Sequence, residues 1–160
     1  MNIEQVLAAV DPDNAAIYTA NGAAYAGALT ELMGEMDRVM AGVNGRNLVT
    51  NHDALGYLAA RYDLTVIGTV LPGASTLAEP SASDMAALAE QMQSANTCTI
   101  FAESTANRQL ADALAQELIS CDQVQVLSLY TGAIGPVGSG ADSYIGMMQA
   151  NVQTLAEGLK

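Results

Sequence analysis

Apolar residues recur every three to four positions in the first quarter of the chain: Ile17, Ala24 or Tyr25, Ala28 or Leu29, Leu32, Met36, Val39 or Met40, and Val43. That spacing predicts one helix over residues 13–43. At 1.5 Å per residue it would run roughly 45 Å, more than the width of one small domain. Such a helix either spans two lobes or leaves part of its face without a partner. Gly22, Gly27 and Gly34 weaken it in isolation. Ahead of it, residues 3–10 form a short amphipathic segment closed by Asp11-Pro12. Asp11 suits an N-cap, and Pro12 suits the first helical position.

After Asn44-Gly45 the pattern changes to alternating strand and helix. Short apolar runs at 47–51, 64–71, 97–103 and 124–129 read as buried strands. Helical spacing falls between them at 53–62, about 83–95 and about 107–120, and again at 143–159. Ser81, Ser83 and Asp84 offer capping side chains for the second of these helices. Strands and helices in alternation with short connections mean an α/β fold, a parallel sheet covered on both faces. The expected architecture is a four-stranded, doubly wound, Rossmann-like sheet preceded by a long spine helix. Its parts are residues 1–44 and the α/β lobe 45–160. The common strand order 2-1-3-4 places the switch point between the first and third strands, where ligands of such sheets bind.

Composition narrows the partners. Seventeen acids against five basic residues give a net charge of −12. Nucleic acid and anionic membrane surfaces need clustered Lys and Arg, so neither is expected as a partner. No stretch is apolar for long enough to cross a bilayer. Residues 1–10 lack the basic start and apolar run of a signal peptide, so an exported parent would have lost its leader from this chain. Cys98 opens the third strand and Cys121 follows the helix returning from it, which puts both at the amino edge of the sheet. They are either a disulfide, in an oxidising compartment, or two buried thiols.

Three polar residues stand out at the opposite edge. His52, the single histidine, ends the first strand. It is either a working imidazole at the switch point or a residue of the turn. Glu103 ends the otherwise apolar third strand, as a rim carboxylate or as a cation ligand or the acceptor that orients one. The glycine-rich segment 130–143 lacks the Lys-Ser/Thr of a phosphate cradle. It reads better as a flexible loop over the carboxyl edge that returns Asp142 to the crevice, unless Asp142 only caps the last helix. There is no Gly-x-Ser-x-Gly nucleophile elbow, and Lys160 is the single lysine. No catalytic residue is expected.

Val49-Thr-Asn-His52-Asp-Ala-Leu-Gly-Tyr-Leu58 resembles the His-Asp-Ala-Phe segment of the zinc/manganese solute-binding proteins of ABC importers (cluster A-I). Pro72-Gly73 with Glu79-Pro80-Ser81, Phe101-Ala-Glu103-Ser104, and Gly140-Ala-Asp142-Ser-Tyr-Ile-Gly-Met-Met148 match later motifs of that family in order. The resemblance covers the second half of a family member and implies a carboxy-terminal lobe with its spine helix. It implies an extracytoplasmic receptor, not an enzyme, that binds Zn2+ or Mn2+ and passes it to a permease. On matching positions His52 and Asp142 would be metal ligands, with Glu103 beside the site. Two further ligands belong to an amino-terminal lobe missing here, so this chain alone should bind zinc weakly. An exposed apolar stripe along residues 17–43 would follow and would allow self-association. The rival reading is a free-standing flavodoxin-like or nucleotide-binding module with a self-sufficient pocket.

Overall fold

A computed structural model describes residues 2–71, 79–104 and 108–160. The chain separates into two compact units, Met1–Arg38 and Val39–Lys160. Pro72 and Gly73, part of the loop motif above, and the expected start of a helix at Asn107 lie outside the described residues.

In the first unit, helix α1 (Asn2–Val10) is followed by a 3-10 turn, Pro12–Asn14, and then by α2, Ala15–Val39. Pro12 takes the first position of the turn, but the Asp11 carboxylate does not cap the backbone. It accepts instead from Asn14 Nδ2 at 2.9 Å and Tyr18 Oη at 2.8 Å. The Asn14 bond, then the Tyr18 bond, lowers the Asp11 pKa below its usual range. The long helix is thus real but shorter at both ends than the periodicity implies. Its first turn is 3-10, and it stops before Gly42, whose φ of +94° glycine adopts without strain. Leu32 and Met36 are the buried residues of α2, whereas Ile17, Tyr25 and Met33 are exposed. Along α1, Ile3, Val6 and Val10 are exposed as well.

The second unit is built on β1 (Asn47–Thr50), β2 (Thr65–Thr69), β3 (Thr99–Glu103) and β4 (Gln125–Leu129). All pairings are parallel and the order is β2-β1-β3-β4, as the doubly wound pattern predicts. Around the strands lie α3 (Gly56–Arg61), α4 (Ala82–Ser94), α5 (Gln109–Glu117) and α6 (Tyr144–Gly158). Alternation along β3 sorts its side chains between two faces. Ile100 and Ala102 join a core of Val49, Leu88, Met92, Ala111 and Leu114, which α4 and α5 cover. Thr99 and Phe101 point the other way, under α6. There Gly158 comes so close that an added Cβ would sit 2.7 Å from Phe101 Cζ and 2.8 Å from Thr99 Cγ2. Glu103 follows at the next position on that second face.

Helix α4 begins in a complete capping box. Ser81 Oγ accepts from the Asp84 N–H, and the Asp84 carboxylate accepts from the Ser81 N–H at 2.9 Å. The Ser81 hydroxyl, then its backbone N–H, holds the Asp84 pKa below its ordinary 3.8. A depressed carboxylate contributes stability that is present above the unfolded pKa and lost as pH falls through the folded one. Ser81→Ala is therefore expected to lower Tm by roughly 2–4 °C near pH 7. The gap between variant and parent should narrow at pH 3, read by circular-dichroism melts. A gap that widens in acid would contradict the assignment.

Candidate metal centre

At the end of β1 the chain turns sharply. Thr50 Oγ1 donates to the His52 carbonyl at 2.9 Å, and the Leu71 N–H donates to the Asn51 carbonyl at 2.8 Å. These bonds keep residues 51–55 out of the helix, so α3 starts at Gly56 rather than near Asp53. They also set the imidazole at the carboxyl edge between the two central strands. There His52 Nδ1 lies 3.2 Å from Glu103 Oε2, with the side chains 16% and 5% exposed. A neutral imidazole that donates from Nδ1 to a carboxylate presents its Nε2 lone pair outward, the form that binds metals.

Asp142 belongs to the connection between β4 and α6. The expectation of a flexible loop meets a tied one. The Gly135 N–H donates to the Ala141 carbonyl at 2.7 Å, and Ala141 N–H donates to Ser139 Oγ at 3.2 Å. Gly138 and Gly140 each have φ of +80°, which glycine adopts freely. Asp142 does not cap α6. Ser143 does, accepting from the Gly146 N–H at 3.1 Å. The exposed Asp142 carboxylate accepts from the Gly138 N–H at 2.8 Å through one oxygen. Gly146 packs directly beneath the Gly140 carbonyl, with no room for a Cβ. Gly146→Ala is expected to cost about 1–3 kcal/mol by overpacking against backbone. Gly34→Ala, with nothing within 4 Å, should be neutral or stabilising. Denaturant unfolding of both variants checks this.

The structure thus joins His52 to Glu103. A cavity of about 10 Å³ beside the pair is lined by Thr50, Asn51, Leu55, Phe101, Leu129 and Thr131 among others, and Asp142 is not one of them. Among the described residues no group of three or more His, Cys, Asp or Glu is placed to hold a metal ion. Cys98 and Cys121 are joined as a disulfide, with Cα atoms 5.8 Å apart. They lie at the other edge of the sheet, one β3 length from Glu103, roughly 16 Å. A wider groove of about 330 Å³ also lies at that edge, between Arg46, Thr97, Cys98 and Lys160. It has no imidazole or carboxylate side chain in its lining.

Sequence reasoning missed Asn151. Its side chain bonds the Tyr130 backbone twice, Oδ1 accepting from N–H at 2.8 Å and Nδ2 donating to the carbonyl at 2.7 Å. This clamp fixes where the chain leaves β4 and places Thr131 in the cavity wall. The available signal was a polar residue within the buried stripe Val152, Leu155 and Ala156 of α6.

The His52–Glu103 pair sits at the switch point of a doubly wound parallel sheet, the edge at which ligands of such sheets ordinarily bind. The chain belongs to the family described as zinc-uptake complex component A, periplasmic, whose model matches residues 1–158. It is 34% identical over 116 residues to the zinc-binding protein TroA of Treponema pallidum, covering 71% of this chain and 37% of TroA. It is 29% identical over 158 residues to the high-affinity zinc uptake system protein ZnuA of Bacillus subtilis, covering 99% of this chain and 48% of ZnuA. The solved structure of periplasmic zinc-binding TroA superposes with a TM-score of 0.86 at 30% identity, over 99% of this chain and 58% of that one. A Cd-bound periplasmic metal-binding protein from Candidatus Liberibacter asiaticus gives 0.81 at 25% identity, over 99% and 58%. The chain thus spans less than half of the two curated relatives and somewhat more than half of the solved ones.

Proposed function

We propose that this chain is the carboxy-terminal lobe, with spine helix, of an extracytoplasmic receptor that captures Zn2+ and delivers it to an ABC permease. In this reading residues 1–44 hold a short helix and the long spine helix between lobes, and residues 45–160 form the metal-binding lobe. His52 Nε2 and one oxygen of Asp142 are two of the metal ligands. Glu103 orients the imidazole, and the remaining ligands come from the parts of the relatives that this chain does not cover. The observation that carries it is the 3.2 Å contact between His52 Nδ1 and Glu103. That contact engages Nδ1 and leaves Nε2 as the imidazole nitrogen for a metal, in a lobe whose relatives are named for zinc.

Nitrogen with carboxylate oxygen suits zinc, and the same donors bind manganese less tightly. The disulfide supports an oxidising compartment. No described helix is long and apolar enough to cross a membrane. The protein's role is transport, with no reaction catalysed. The exposed Ile17, Tyr25 and Met33 of α2 supply an apolar surface for a missing lobe or for self-association.

Half a ligand set gives weak binding. Calorimetric titration of this chain is expected to show zinc binding no tighter than micromolar, with manganese weaker still. A nanomolar site would mean that the chain carries a complete ligand set of its own, contrary to the proposal.

A further inference from the structure

We infer that one water molecule is held inside the carboxyl edge by Asn51 and Thr131, and that these two side chains are positioning residues for the His52–Glu103 pair. Asn51 is 3% exposed, yet its Nδ2 makes no hydrogen bond, and neither does the buried Thr131 Oγ1. Leaving a buried amide or hydroxyl unpaired costs about 1–3 kcal/mol. Such groups are ordinarily satisfied by protein or by an ordered water. Both residues line the same small cavity, and so do His52 and Glu103, with Phe101 and Leu129 closing it. Its volume of about 10 Å³ is close to the least that admits a single water.

The chemistry of the lining selects water over a cation. An amide N–H2 donates, so it meets the oxygen of a water and repels a metal ion. The water's own protons then need acceptors, and the Thr131 hydroxyl and the Glu103 carboxylate border the same space. A carboxylate receiving a hydrogen bond from within the cavity is held as an acceptor toward His52. The imidazole is then held with its proton on Nδ1 and its lone pair on Nε2. Both supporting side chains are themselves placed by backbone bonds. The Leu71 N–H fixes the Asn51 carbonyl, and the Asn151 clamp on Tyr130 fixes the approach to Thr131.

The water site stands on the geometry alone, whereas its effect on affinity rests on the metal reading above. The test uses the parent chain, Thr131→Val, which keeps shape but loses the hydroxyl, and Thr131→Ser, which restores it. At pH 8 without metal, nuclear Overhauser transfer between water and the Thr131 and Ala102 amides reports the buried water. Long-range 15N correlations of the His52 ring report its tautomer. Zn2+ is then titrated into each chain. The parent and Thr131→Ser should show the water and a single tautomer protonated at Nδ1. Thr131→Val should lose the water signal, show mixed tautomers and bind zinc about tenfold more weakly. No buried-water signal in the parent would overturn the inference, as would a Thr131→Val chain with the parent's tautomer. If His52→Ala leaves zinc affinity unchanged while Thr131→Val still mixes the tautomers, the metal reading fails and the water site stands.

Discussion

Replacing His52 with alanine is expected to weaken zinc binding by about a hundredfold. Structural zinc sites with four ligands are worth roughly 10–16 kcal/mol, so one ligand carries about 3 kcal/mol, and that is roughly two decades in Kd. Starting from micromolar, the variant should fall beyond calorimetric detection, and chelator competition would be needed to follow it. The substitution also leaves the buried Glu103 carboxylate without its imidazole, so some loss of stability should accompany the loss of affinity. Tyr57→Ala, at a side chain 98% exposed on α3, is the matched control and should change neither. If His52→Ala binds zinc as the parent does, the ion is held elsewhere.

The second large effect falls on stability. Removing the Cys98–Cys121 bridge as a double alanine variant is expected to cost about 3 kcal/mol, from the conformational freedom returned to the unfolded chain. For a chain of this size that lowers Tm by roughly 6–12 °C. Because the bridge fastens the amino edge, the same variant should bind zinc as the parent does. Thermal melts and zinc titrations of one protein sample separate the two outcomes. An unchanged Tm would show that the bridge constrains nothing, and lost zinc binding with a retained fold would couple the two edges.

What could be read from the residues, and what could not, divides along a physical line. The strand order followed from short connections between apolar runs, because chain geometry allows few ways to wind a parallel sheet. The convergence of His52 and Glu103 followed from that order, since both end central strands. Helix ends were less legible. Asp11 binds the Asn14 and Tyr18 side chains rather than capping backbone, and Ser143 rather than Asp142 caps α6, so competition among neighbouring polar groups decided both. The bonds from Thr50 and to the Asn51 carbonyl delayed α3. Asn51, Thr131 and Asn151 escaped notice because their meaning lies in contacts made across many residues of sequence. Polar residues of that kind carry no periodic signature.

Because the sequence has two cysteines and each engages the other, the folded chain offers no free sulfhydryl. A cysteine placed at Val137, 97% exposed on the segment that carries Asp142, would be a unique attachment point for a fluorophore or spin label. Such a probe could follow that segment in solution without disturbing the sheet beneath it.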